Sequence, residues 1–137
     1  MDFSTVNWLG VLIAFLAGFV ASFIWFGPKT FYPMWWKAMG KTPGEQPGSS
    51  NMGVVFGLTA AAIFASALVM ELLIDATHTT GAGAGATLGL IVGIGIAAAA
   101  SLGHRLFAAQ GLKVWAIEVG SDVLNLVLMG VILGAMH

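Results

Sequence analysis

The chain has 137 residues, 58% of them hydrophobic and 8% charged, with a net charge of −1 and no cysteine. A soluble domain carries about 25% charged residues and a small one keeps much of its area in water, so a water-soluble enzyme is excluded. A disordered chain, low in hydrophobicity and high in charge, is excluded with it. Five basic residues against six acidic ones leave no patch for nucleic acid, and without cysteine there is no disulfide, thiol catalysis or cysteine-held metal.

The start, Met1-Asp2-Phe3-Ser4, lacks the basic n-region of a secretory signal, so the first apolar stretch is expected to stay in the mature protein. Crossing a bilayer takes about 20 mostly apolar residues. Four stretches qualify: residues 7–26, closed by Gly27-Pro28, then 52–74, 83–103 and 113–136. The links 75–82 and 104–112 are short, which makes neighbouring spans antiparallel.

The first connection is longer. Residues 28–40 are aromatic and basic, and 41–50 form a Pro/Gly/Ser-rich polar loop. Phe31, Trp35 and Met39 recur at helical spacing, which predicts a short interfacial helix over residues 31–40. Trp25, Tyr32, Trp35, Trp36 and Lys37 would anchor it at the headgroups. Lys29, Lys37, Lys41, Arg105 and Lys113 all fall on one side of a four-span chain, and Asp2, Asp75, His78 and His137 on the other. The excess of Lys and Arg places the basic side in the cytoplasm and both termini outside.

Nineteen glycines need a reason, because glycine weakens an isolated helix. In lipid, small residues four apart let helix backbones meet closely. The first span has Gly10, Ala14, Gly18 and Ser22; the second has Gly53, Gly57, Ala61 and Ala65. The third has the longest run, Gly81, Gly85, Gly89, Gly93, Ala97 and Ser101, and the fourth has Gly130 and Gly134. These stripes predict tight seams, inside one bundle or between copies of the chain.

Polar groups within spans are costly and mark candidate sites. Glu118, Ser121, Asp122 and Asn125 share one face of the fourth span. At 1.5 Å per residue from Lys113, Glu118 lies roughly 8 Å deep and Asp122 roughly 13 Å deep. Gly130 and Gly134 take the opposite face, which makes this helix central to the bundle. Arg105 is a candidate partner for Glu118. The stripe reads either as a proton or cation site lining a wet cavity, or as a hydrogen-bond cluster that fixes packing. Glu71, Asp75 and His78, joined by His137, have the spacing of weak metal ligands, but solvated acids near an interface are the simpler reading. His104 reads as a helix-end residue at the C-terminal dipole rather than a haem ligand. Glu71 and Glu118 belong to opposite leaflets and form no catalytic pair.

Asn7-Trp8-Leu9 opens the first span and Trp25-Phe26-Gly27-Pro28 closes it. Lys37-Ala38-Met39-Gly40 follows, and Leu128-Met129-Gly130-Val131-Ile132-Leu133-Gly134 lies near the end. Together they resemble the small bacterial membrane proteins of domain-of-unknown-function family 1761, over nearly the whole chain. The resemblance implies four spans in a bacterial inner membrane, with no established activity and no site residues to carry over. That family often has an aromatic-His pair where this chain has Ser121-Asp122, so the resemblance implies no shared chemistry there.

The expectation is an all-α membrane protein, four transmembrane helices with one interfacial amphipathic helix between the first and second, forming a single domain in the lipid bilayer. Its leading functional reading is a non-enzymatic protein that acts through helix packing, as a homo-oligomer or an accessory subunit of a membrane complex. The alternative is a small proton- or cation-coupled transporter or channel built on the fourth-span stripe. An enzyme ranks last, because no nucleophile–base pair is visible, and no cofactor is implied.

Overall fold

The computed structural model describes residues 2–42 and 51–137, and every regular element among them is helical. Four helical stretches are long and apolar enough to cross a membrane: Trp8–Trp25, Met52–Ala76, Ala82–Phe107 and Gly111–Ala135. Most of the polar loop expected over 41–50 lies outside the described residues.

Helix α1 (Trp8–Trp25) begins at Asn7, whose side chain accepts from the Gly10 N–H at 3.0 Å. It ends before Pro28, which has no N–H to continue the ladder. Helix α2 (Tyr32–Ala38) is shorter than the expected 31–40, with a proline in its first turn. Past its end, Gly40 takes φ +79°, a left-handed conformation that glycine adopts without steric cost. Helix α3 (Met52–Ala76) is capped by Asn51, which accepts from the Val54 N–H.

The third span has three parts: α4 (Ala82–Val92), a π-helical stretch (Gly93–Ala98) and α5 (Ala99–Phe107). A π turn displaces carbonyls from their α-helical donors, and here side chains supply replacements. The Trp115 indole donates to the Ala98 carbonyl at 3.0 Å, and the Ser101 hydroxyl lies 2.9 Å from that of Ala97. Helix α6 (Gly111–Ala135) closes the chain and packs against every other helix.

Paired residues show that α6 runs antiparallel to both flanking spans. On one side Gly85 meets Gly130, Gly89 meets Leu126, and Gly93 meets Val123. A Cβ on Gly85 would fall inside the Gly130 carbonyl, and one on Gly130 inside the Gly85 carbonyl. Only glycine at both positions permits this approach, which replaces the hydrophobic drive that lipid removes with dispersion contact between backbones. On the other side of α6, Gly10 packs on Leu133, and Gly18 on Met129 and Asn125. The small-residue stripes of α1 and α4 are thus used inside the chain. The α3 stripe is not: Gly53, Gly57, Ala61 and Ala65 are exposed.

Burial is uneven along the bundle. At the end where the termini meet, Val11, Ala14, Met70, Ile74, Met129 and Leu133 form a closed core. At the opposite, basic end, the first half of α3 contains no buried residue. There α1, α2, α3 and α6 surround a cavity.

Candidate functional site

The cavity has a volume of about 580 Å³. Six aromatic side chains line it: Phe19, Phe23 and Phe26 of α1 and the turn after it, Tyr32 and Trp35 of α2, and Phe56 of α3. Phe23 and Phe56 stack across the α1–α3 gap with centroids 6.0 Å apart, and Phe26 meets Trp35 edge-on at 5.3 Å. Helix α6 contributes Glu118 and Asp122, and α1 and α3 contribute Ser22 and Thr59.

The two carboxylates sit one turn apart but have different surroundings. Glu118 Oε2 is 2.6 Å from Nη2 of Arg105, and Glu118 Oε1 accepts from the Trp35 indole at 3.0 Å. Arg105 is held from behind by the Gln110 side chain. Glu118 is therefore neutralised and hydrogen-bonded on both oxygens. Asp122 has no hydrogen bond or ion pair among the described residues. One turn further, Asn125 donates to the Ser22 hydroxyl at 2.7 Å, while its Oδ1 is buried without a partner. Ser121 is buried but does not line the cavity.

At the terminal end, Glu71 is fully buried. Its Oε1 accepts from the Asn7 N–H at 2.9 Å and lies 2.9 Å from His137 Nε2, and its Oε2 has no partner. One turn on, Asp75 accepts from the Thr5 hydroxyl at 2.8 Å. These bonds tie the start of α1 and the end of α6 to the end of α3. Among the described residues no three His, Asp or Glu side chains form a group able to hold a metal; Glu71 and Asp75 engage separate partners. Asp2 lies outside the spans, where the Ser4 hydroxyl and N–H hold its carboxyl below the usual aspartate range.

With this geometry in hand, comparison with known families gives a match over residues 9–134 to a family described as "Protein of unknown function (DUF1761)". The chain belongs to the DUF1761 family. No curated protein and no solved structure matches it.

In this DUF1761 member the structure brings Glu118, Asp122 and Arg105 together and sets Ser121 apart from them. The residues read as headgroup anchors also make contacts within the protein. Trp25 donates to the Ile117 carbonyl at 2.9 Å and packs on Phe31 at 4.4 Å. Trp35 reaches Glu118. Trp36 is buried, donates to the Thr42 carbonyl and carries the Lys41 ammonium 4.8 Å above its ring. Sequence reasoning missed the aromatic wall. Its signal was present as Phe19, Phe23 and Phe26, spaced four and three residues apart and so sharing one face of α1.

Proposed function

We propose that this protein is a small proton- or cation-coupled transporter whose site is the cavity at the basic end of the bundle. The observation that carries this reading is Asp122, an acid without a partner among the described residues, on the wall of a cavity that six aromatic side chains help to line. An unpaired ionisable group within a span costs about 2.5–3.5 kcal/mol on insertion scales, a cost that a bound proton or cation offsets. The buried, unpartnered Asn125 Oδ1 next to Ser22 supports a polar path that continues inward from the cavity. The basic end faces the cytoplasm of a bacterial inner membrane in this reading, following the positive-inside rule. Single cysteines introduced at Lys41 and Asp2, in a chain that has none, test that orientation through labelling by an impermeant maleimide.

The functional test uses protein reconstituted in liposomes with an imposed pH gradient. Sodium, potassium, magnesium, choline and tetraphenylphosphonium are added in turn. At least one should dissipate the gradient with the wild-type chain and not with Asp122→Asn. Dissipation by none, or equally by the variant, overturns the reading.

Self-association is the second reading, favoured by the exposed Gly53, Gly57, Ala61 and Ala65 stripe on α3. These four residues are free to meet a copy of themselves, whereas the stripes of α1 and α4 are covered by α6. Gly57→Leu should then lower the mass of the detergent-solubilised particle. A wild-type monomer removes this reading.

A further inference from the structure

Resting on the reading of the cavity as a cation site, we infer that its ligand is a monovalent organic cation with an aromatic or diffuse charge, not a metal ion. The first argument is charge. Among the described residues, the titratable groups facing the cavity are Glu118 and Asp122 of α6 and Tyr32 of α2, while α1 and α3 present only Ser22 and Thr59 as polar residues. Arg105 of α5 cancels Glu118 across 2.6 Å. One negative charge is left over, on Asp122, and it matches a single positive charge.

The second argument is a count of oxygens. A bare magnesium ion demands about six oxygen ligands and calcium roughly six to eight, and potassium filters replace the hydration shell with rings of carbonyls. Several side-chain oxygens on these walls are already engaged. Trp35 and Arg105 occupy the two of Glu118. Ser22 Oγ accepts from Asn125, while Thr59 Oγ1 gives its proton to the Val55 carbonyl and keeps its lone pairs. Among the described residues, the two Asp122 oxygens and the hydroxyl oxygens of Tyr32 and Thr59 are what remain, fewer than the roughly six needed to replace the water around a divalent metal ion.

What the walls do supply is aromatic surface. Six rings line the space, and ring faces attract cations whose charge is spread over a weakly hydrated body. The volume of about 580 Å³ lies within the range of about 300–1,000 Å³ typical of pockets for drug-sized ligands, far larger than one desolvated metal ion needs. An organic cation fills such a space with apolar contact and sets its charge against Asp122.

The test is tetraphenylphosphonium binding to the purified full chain in detergent, read by calorimetry and by quenching of tryptophan fluorescence. One probe per chain should bind, with no competition from sodium, potassium or magnesium at equal concentration. Asp122→Asn should weaken binding by about tenfold or more, the equivalent of one lost charge interaction. The neutral triphenylphosphine oxide should bind wild type and variant alike. Phe56→Leu, which keeps the charge and removes a ring, should weaken the phosphonium a few-fold, so the inference stays open to refutation if Asp122→Asn fails to fold. Competition by a metal ion, or phosphonium binding that neither variant alters, overturns the inference. If metal ions dissipate the gradient in liposomes while the phosphonium fails to bind, this inference falls and the cation-site reading survives. If nothing dissipates the gradient, both fall.

Discussion

The two ends of this bundle each hold an acid against a base, and they use the pair differently. At the terminal end Glu71 is sealed from solvent and takes the Asn7 N–H and His137 on one oxygen, inside a core closed by Met70, Ile74 and Leu133. At the basic end Arg105 and Glu118 are partly exposed, and Asp122 sits one turn away with no partner among the described residues, beside open volume. The first arrangement locks three helix ends together. The second neutralises one acid and leaves its neighbour available. A polar pair in a span thus serves cohesion where the helices converge, and where they part it leaves a second acid facing the cavity.

The largest test of the contrast lies on the side where the backbones touch. Gly85→Leu would drive a side chain into the Gly130 carbonyl, and overpacking of this kind costs about 3 kcal/mol. Thermal unfolding in detergent should show a large fall in Tm or no folded protein; an unchanged Tm would show that α4 and α6 are not held by this contact. Next comes Glu71→Ala, which strips the acceptor from the part-buried Asn7 N–H and should cost about 1–3 kcal/mol. Glu71→Gln, which keeps a carbonyl oxygen, should cost less. Equal melting temperatures for Glu71→Ala and Glu118→Ala would erase the distinction between the ends, since Arg105 can turn to water and Asn7 cannot.

Trp35→Phe keeps the ring and deletes one hydrogen bond to Glu118, for a loss of about 1 kcal/mol. Asp122→Asn should leave the chain folded, with Tm unchanged or raised because an unpaired charge is removed from the span, while abolishing gradient dissipation, the sharpest separation of site from scaffold. The smallest effect belongs to Asp2. Its carboxyl is held below the usual range, so its stabilisation is present above the ordinary aspartate pKa and fades as pH falls through the lowered folded value. Ser4→Ala should return the Asp2 titration, followed by NMR, toward the ordinary range.

The four spans were legible because length and apolarity are properties of single segments, and the observed helices differ from residues 7–26, 52–74, 83–103 and 113–136 by a few residues at their ends. The face shared by Glu118, Asp122 and Asn125 was legible for the same reason, since helical spacing alone sets it. What needs a second segment was not. Nothing local tells the Gly81–Gly93 stripe, which meets α6, from the Gly53–Ala65 stripe, which is exposed among the described residues. Trp35 and Glu118 are 83 residues apart, and no spacing rule joins them. Glu71 read as an interfacial acid because its position was judged along the bilayer, while its burial comes from the start of α1 and the end of α6.

The π stretch in the third span acts as a correction of phase. An α-helix advances about 100° per residue. The twelve residues from Gly93 to Arg105 would therefore leave Arg105 about 120° away from the glycine face, aimed past α6. A π turn absorbs one extra residue, which brings that angle back to about 20°. One helix can then address the same neighbour twice, with bare backbone in its first half and with a guanidinium in its second. Removing the extra residue between Gly93 and Ala98 would restore a regular α-helix with the same angle of about 20°, so the glycine contact and the Arg105–Glu118 pair should both survive. Removing one residue between Ala98 and Arg105 instead would swing Arg105 off Glu118 and turn a cavity that carries one negative charge into one that carries two.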